Sequence, residues 1–140
     1  MNWRYCGRDY TEKHDESLFG FIYLVHFEDE SGNIFKYYGK KKWFSETKKH
    51  FGKKKLAEMT DKRLKTYEYI KRDNDWRTYV GSSKETDGLI PIYKEILEFA
   101  RSQRELTYLE TKVLFARGAL EDKDCLNGNI MGRFFKGRLV

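Results

Sequence analysis

The sequence predicts an α+β fold whose elements follow the order strand-strand-helix-strand-helix. Four observations support this prediction. Residues 19–27 are almost continuously apolar, residues 34–39 are rich in tyrosine, and a Ser-Gly-Asn turn signal at 31–33 lies between them. Residues 103–117 carry the apolar stripe and the end signals of an amphipathic helix.

The stretch before the first strand, residues 1–18, is polar with scattered aromatic residues. We expect it to form an arm or a loosely packed lead-in, so that a single domain covers residues 19–140. The apolar run at 19–27 is typical of a strand that is covered on both faces. The turn then returns the chain into the second strand, and this hairpin ends in Gly39 followed by three lysines.

A basic insertion follows at about residues 40–60, where lysines are interleaved with aromatic residues and the pattern indicates no definite element. Residues 61–72 are expected to form a helix, because an acidic start and a basic end suit the helix dipole. Residues 89–99 predict the third strand. Pro91 near its beginning indicates an edge position or a strand start.

Composition limits the possible functions. The chain has 140 residues, of which 39% are hydrophobic and 16% aromatic, enough for one aromatic-rich core. Its net charge of +6 favours polyanionic partners, although many other proteins are basic. Two distant cysteines and three scattered histidines predict neither a zinc site nor a disulfide framework. No apolar run could cross a bilayer and the polar start is unlike a signal peptide, so we expect a protein of a reducing compartment with no membrane partner.

Glu110 carries the strongest sign of chemistry. It lies three or four positions from Leu106, Val113 and Leu114, which form the apolar stripe of the 103–117 helix, so its carboxylate falls within or beside the inward face. A carboxylate in that position needs a partner. Two interpretations stay open: an ion pair with a lysine or arginine, or a metal ligand at the bottom of a cleft.

The tyrosines and lysines of the hairpin also have two interpretations. Tyr23 and Tyr37 lie on neighbouring strands, where aromatic residues commonly pair, but their hydroxyls could also face a phosphodiester. The lysines after Gly39 could belong to a solvated loop. Because glycine lets a ligand approach the backbone closely, they could instead bind phosphate oxygens.

These segments, taken together, resemble the GIY-YIG nuclease superfamily over roughly residues 19–132. Residues 92–99 and 105–110 are similar to the third strand and the glutamate helix of that family. The small phage-borne homing endonucleases are the members with the most similar motifs. The pieces that carry the resemblance are, in order, Phe21-Ile22-Tyr23, Tyr37-Tyr38-Gly39, Glu110 and Asn127.

The resemblance implies a small three-stranded antiparallel sheet flanked by helices, and metal-dependent hydrolysis of DNA. Glu110 would bind one Mg²⁺ or Mn²⁺ ion. Tyr37 would act as general base or would position water with Tyr23 in support, and Asn127 would brace the glutamate or the backbone around it. Contacts to double-stranded DNA would come from Lys40, Lys41, Lys42, Lys53, Lys54, Tyr79 and Arg133.

The chain departs from the family pattern at several positions. Phe21 stands where the family usually has glycine, and Tyr38 replaces a small aliphatic residue. The catalytic arginine of the family, normally on the first helix after the hairpin, has no definite equivalent here. Arg72 and Arg77 are the candidates, with Arg63 behind them.

Two other functions fit the same sequence. One is a GIY-YIG-like module that binds nucleic acid without cutting it, and the other is a basic protein that binds a protein partner. If the chain is a nuclease, its one active site implies a homodimer or two successive nicks for double-strand cleavage. We expect a cytoplasmic location, in the bacterial host if the chain is phage-encoded.

Overall fold

A computed structural model describes residues 1–13, 15–61 and 64–140 of the chain. None of the helices in these ranges is long and apolar enough to span a membrane. The elements, in chain order, are β1 (Trp3–Tyr5), β2 (Arg8–Tyr10), β3 (Gly20–Glu28), β4 (Ile34–Lys42), β5 (Phe44–His50), α1 (Lys53–Glu58), β6 (Tyr67–Asp73), β7 (Ile90–Ala100), α2 (Gln103–Ala116), β8 (Asn129–Ile130) and β9 (Phe134–Phe135).

The main sheet has the strand order β2-β1-β7-β3-β4. The predicted hairpin is β3 and β4, paired antiparallel with Tyr23 opposite Gly39. The predicted third strand is β7, which pairs antiparallel with the other side of β3. The prediction of a three-stranded sheet is wrong, because β1 pairs in parallel with β7 and β2 pairs with β1, which makes five strands.

The first eighteen residues differ from the expected arm, because β1 and β2 are part of the sheet. Trp3 is 1% exposed and Tyr10 is 2% exposed, and both belong to the main aromatic cluster. The Trp3 indole N–H also donates a hydrogen bond to the carbonyl of Trp76. Strands of three residues are too short to give a periodic sequence pattern, so the pattern alone does not reveal this packing.

Strand β3 lies inside the sheet and is buried on both faces, as its apolar run predicts. Phe21 and Tyr23 point to an aromatic cluster that includes Trp43. Ile22 and Leu24 point to the opposite face, where α2 covers the sheet. Since successive side chains of a strand point to opposite faces, β3 holds the two layers together.

The basic insertion contains β5 and α1, and β5 pairs with β6, further along the chain, as a second hairpin. The predicted helix at 61–72 is wrong in its described second half, because β6 begins at Tyr67. Charged and aromatic side chains interact across the two strands. The Lys48 ammonium, for example, lies 3.7 Å from the centre of the Tyr67 ring. Such cross-strand contacts favour a strand pair over a helix.

Helix α2 confirms the predicted helix to within a residue of its bounds. The Ser102 hydroxyl accepts a hydrogen bond from the N–H of Glu105 at 3.0 Å and caps the first turn. Gly118 follows the helix with a φ of 59°, the left-handed conformation typical of a helix C-terminus. These two ends fix the position along the sheet at which α2 presents Glu110.

Candidate active site

Tyr23 and Gly39 face each other across the central hairpin. The Tyr23 ring lies over Gly39 so closely that an ideal Cβ there would lie 2.3 Å from the Tyr23 hydroxyl oxygen. Gly39 is therefore required by the tyrosine itself, which is a different reason from the close ligand approach that the sequence suggests. Tyr23 is 2% exposed, and burial raises its pKa far above the ordinary value. It stays a neutral phenol.

A cleft of about 340 Å³ opens beside β4, where α2 and the segment after it approach the sheet. It brings together Tyr37, Glu110 and Asn127, three of the residues that the sequence analysis selected. Ser83 and Glu85, from the loop before β7, contribute further polar groups. We call it the acidic cleft.

Tyr37 is half-buried in the acidic cleft. Burial raises the pKa of its phenol, whereas a hydrogen bond with Ser83 acts in the opposite direction. The negative charges of Glu85 and Glu110 raise the pKa further. Tyr37 is therefore protonated at neutral pH, when it can orient a water molecule but is a poor proton acceptor.

Glu110 forms the ion pair that one interpretation of the sequence expects, and it also lines the cleft that the other requires. Its side chain is 25% exposed, and Oε1 lies 3.6 Å from the Lys40 ammonium. Lys40 also donates to the Thr107 hydroxyl at 3.3 Å. Burial raises the pKa of the Glu110 carboxyl, and the Lys40 charge lowers it.

The donor set of the acidic cleft fits a hard cation held with few protein ligands. Glu85 and Glu110 supply carboxylate oxygens. Within residues 1–13, 15–61 and 64–140, no group of three or more His, Cys, Asp or Glu side chains could hold a metal ion. Magnesium commonly binds through one or two carboxylates and keeps several waters or substrate phosphates as its other ligands. Glu110 is suited to that type of binding.

Asn127 is buried and pairs with the backbone of β4. Its Oδ1 accepts from the N–H of Tyr38 and its Nδ2 donates to the carbonyl of Tyr38, both at 2.9 Å. The amide thus takes the place of a neighbouring strand at the residue between Tyr37 and Gly39. Asn127 positions the backbone of the second motif, rather than the Glu110 carboxylate.

A second cleft, of about 440 Å³, contains the lysines 40–42 together with Tyr79, and we call it the lysine cleft. The Lys41 ammonium lies 3.9 Å from the centre of the Tyr79 ring. Lys40 lines this cleft and also pairs with Glu110, so the two clefts meet at that ion pair. A phosphate chain lying in the lysine cleft would therefore lead to the carboxylate.

The structure does not bring the arginine candidates to Glu110. The Arg77 guanidinium donates to the carbonyl of Thr11 at 3.0 Å and to the carboxylate of Glu12 at 3.1 Å. Arg72 is exposed on β6 and lines a separate groove. Arg63 lies outside the described residues. The cation that the structure places beside Glu110 is Lys40.

Three predicted DNA contacts lie outside both clefts. Lys53 and Lys54 are exposed on α1. Arg133 is exposed in the turn between β8 and β9, directly after a glycine that lines the acidic cleft.

Sequence reasoning missed Ser83, Glu85 and Lys94. The Ser83 hydroxyl donates to the Glu85 carboxylate within a short 3₁₀ turn. Lys94 is 1% exposed, and its ammonium donates hydrogen bonds to the carbonyls of Arg77 at 2.7 Å and of Tyr79 at 3.1 Å. Burial lowers the pKa of Lys94 to about 8. Lys94 fixes the loop that carries Tyr79. The available signal was a lysine two residues before Ile96, on the inward-facing side of the predicted strand.

The family model described as "Putative endonuclease segE, GIY-YIG domain" matches residues 3–130. This stretch begins in β1 and ends in β8, so it includes both tyrosine strands, Glu110 and Asn127. Comparisons with curated proteins and with solved structures found no significant match.

Proposed function

The chain belongs to the GIY-YIG family of endonuclease domains, and from this premise we propose that it is a divalent-metal-dependent endonuclease that hydrolyses phosphodiester bonds of double-stranded DNA. The observation that carries the proposal is the convergence of Tyr37, Glu110 and Lys40 where the acidic and lysine clefts meet. These groups supply a carboxylate for a cation, a hydroxyl for water and a positive charge for phosphate.

Glu110 is the proposed ligand of one Mg²⁺ or Mn²⁺ ion. Such an ion, when bound, polarises the scissile phosphate and stabilises the leaving 3′ oxygen. The carboxylate must be ionised to bind it. The Lys40 charge lowers the pKa of Glu110, whereas burial raises it, so the ion pair favours the ionised carboxylate that a cation would bind.

Tyr37 is the proposed positioning residue for the attacking water. Its raised pKa makes positioning a better assignment than proton abstraction. Tyr23 supports this arrangement as a buried neutral phenol beside Gly39. Asn127 supports it through the backbone of Tyr38.

Lys40 is the proposed cation that balances charge on the phosphate in the transition state. Arg72 and Arg77, the candidates for this role in the sequence, do not lie beside Glu110 in this structure. An ammonium group acts as a point charge and lacks the fork geometry of arginine. Lys40 already lines the lysine cleft, so its ammonium would be available to a phosphate oxygen there if Glu110 held a divalent ion.

The remaining proposed contacts would hold DNA by its phosphates. Lys41, Lys42 and Tyr79 lie in the lysine cleft, and Lys53, Lys54 and Arg133 lie on the flanks. Double-strand cleavage would require a homodimer or two successive nicks. A homing or genome-targeting role in a phage-infected bacterial cytoplasm is the biological setting that the proposal favours.

A module that binds DNA without cutting it is the second candidate. The observation that favours it is the Lys40–Glu110 ion pair, because a neutralised carboxylate is a weaker ligand for a cation. Under this candidate the acidic cleft would be structural, and the lysine cleft would be the functional surface.

Nicking of supercoiled plasmid, with Mg²⁺ or with EDTA, separates the two candidates. We expect the parent protein to nick only with the metal, and Glu110→Ala and Tyr37→Phe to lose on the order of a hundredfold or more in rate, the scale of removing a transition-state stabiliser. Tyr93→Phe, which removes a phenol from β7 outside the cleft, should cut normally. Tight binding with no nicking at any metal concentration would support the binding module.

A further inference from the structure

The hairpin of β5 and β6, together with α1, is named here the ribbon; it covers residues 44–73 apart from the two that the structure does not describe. We propose that the ribbon enters the major groove of duplex DNA and holds the substrate beside the acidic cleft. The choice of DNA as partner rests on the proposed function, but the inference concerns binding and does not require cleavage.

The ribbon packs on the domain at its base, where the centre of the Phe44 ring lies 5.3 Å from that of the Phe19 ring. No residue of β5, α1 or β6 is buried. An isolated two-stranded hairpin is marginally stable in water, so a protein that keeps one with no buried residue has gained little core from it. Such a projecting element is more readily explained by a partner than by folding.

The positive charge of the ribbon indicates the kind of partner that it binds. The described residues of the ribbon contain three more basic than acidic residues, and the whole chain has a net charge of +6. Half of the excess positive charge therefore lies in a fifth of the chain. Lysines also stack on ring faces within the ribbon, as in Lys71 at 4.6 Å from the centre of the Phe44 ring. A polyanion is the complementary partner.

The size of the ribbon fits a groove of duplex DNA. Seven-residue strands span about 23 Å at the usual rise per residue. The major groove is about 12 Å wide and admits a two-stranded ribbon, whereas the minor groove is only about 6 Å wide. One face carries Ser45, Thr47 and Lys49 of β5, which lie opposite Arg72, Ile70 and Glu68 of β6. The short side chains of Ser45 and Thr47 would allow β5 to approach the groove closely.

The base of the ribbon is fixed to the domain and continues into the lysine cleft. Trp43, between β4 and β5, is fully buried, and the Asn74 amide donates to the carbonyl of Lys42 at 2.8 Å. Phe44 and Ser45, the first residues of β5, line the lysine cleft. A duplex held by the ribbon would thus pass over the lysines that lead to Glu110.

Binding of a fluorescein-labelled duplex, measured by anisotropy in EDTA, tests the inference without cleavage. The ribbon variant combines Lys49→Gln, Lys53→Gln and Lys54→Gln, which remove exposed charges. We expect affinity at about 0.1 M salt to fall more than about tenfold, and the slope of log K against log salt to become shallower by up to about 2.7, since each phosphate contact contributes about 0.9. The control variant removes three exposed charges elsewhere: Lys112→Gln, Arg117→Gln and Lys123→Gln.

A second variant joins Ser45 to Arg72 through an Asn-Gly turn and removes the rest of the ribbon; it should bind as weakly as the ribbon variant or more weakly. If circular dichroism shows that this shortened variant does not fold, the comparison of the ribbon variant with the control variant still tests the inference. Equal losses of duplex affinity in the ribbon and control variants, or parental affinity in a folded shortened variant, would overturn the inference. Methyl green, a major-groove ligand, should compete with the protein and netropsin should not; the reverse would overturn the groove assignment. Ribbon-dependent binding without nicking would refute the proposed nuclease and leave this inference standing.

Discussion

Replacing Gly39 by alanine tests the contact between the two tyrosine strands. On a strand, this substitution alone stabilises by about 0.5–1 kcal/mol, because glycine loses more backbone freedom on folding. Here the new methyl would lie 2.3 Å from the Tyr23 hydroxyl oxygen and 2.4 Å from the ring carbon that bears it. The ring must therefore shift by about 1 Å inside a packed aromatic cluster, and overpacking costs about 1–3 kcal/mol. We expect a net loss of about 1 kcal/mol.

Urea unfolding followed by tryptophan fluorescence measures this loss, since all three tryptophans are buried. Gly52→Ala is the control. Its φ is −70°, and nothing lies within 4 Å of the added Cβ, so its effect should stay within about 0.5 kcal/mol.

A double-mutant cycle identifies the cause. Tyr23→Ala removes the ring that the methyl would meet, so Gly39→Ala should no longer destabilise the protein in that background. An equal loss from Gly39→Ala in both backgrounds, or no loss in the parent, would refute the packing argument.

Three further predictions concern charged groups. Burial raises the folded-state pKa of Glu110 above its unfolded value, so the ionised carboxylate destabilises the folded protein as pH rises. In thermal melts, Glu110→Gln should therefore have a higher Tm than the parent at about pH 7, and this difference in Tm should vanish toward about pH 4. Lys40→Met removes the charge that lowers the Glu110 pKa, so the acid limb of the cleavage pH profile should move to higher pH and the plateau rate should fall about tenfold or more. Lys40→Arg should retain most activity, and an unchanged pH profile in Lys40→Met would refute the role of Lys40. The folded pKa of Lys94, about 8, lies below its ordinary value of 10.5, so parental stability should rise with pH between these values, and this rise should be absent in Lys94→Met when urea unfolding is repeated across that range.

The sequence predicts best where the pattern is long and its ends are marked. Strand β3 is an apolar run of nine residues, and α2 has a serine cap and a C-terminal glycine. These signals are local, so they can be recognised in the sequence without knowledge of the tertiary structure. Their order with β4 and β7, together with the motifs Phe21-Ile22-Tyr23 and Tyr37-Tyr38-Gly39 and with Glu110 and Asn127, suggests the family that the comparison confirms.

The missing strands could not be found in this way. β1 and β2 are three residues long and depend on Trp3 and Tyr10 packing against distant aromatic side chains. The ribbon strands carry mixed charges that suit a helix as well as a strand, and only their pairing distinguishes the two. Non-local packing decided both cases.

The site was predictable in the residues that lie on regular elements. Tyr37 and Glu110 share a cleft because β4 and α2 cross there. Ser83 and Glu85 come from an irregular loop, and Lys94 holds the neighbouring Tyr79 by its backbone. The sequence pointed to an arginine, whereas the structure places Lys40 beside the carboxylate.

Single-turnover cleavage by Glu110→Gln, beside Glu105→Gln on the same helix, tests whether Glu110 is the carboxylate that supports cleavage. Glu105 is exposed, and its carboxylate accepts a bond from the N–H of Arg101 at 3.0 Å, which a glutamine oxygen can also accept. At saturating protein and Mg²⁺, we predict cleavage by the parent and by Glu105→Gln, and a rate on the order of a hundredfold lower for Glu110→Gln with unchanged duplex binding in EDTA. Parental cleavage by Glu110→Gln, or an uncut duplex with the parent protein, would contradict this prediction.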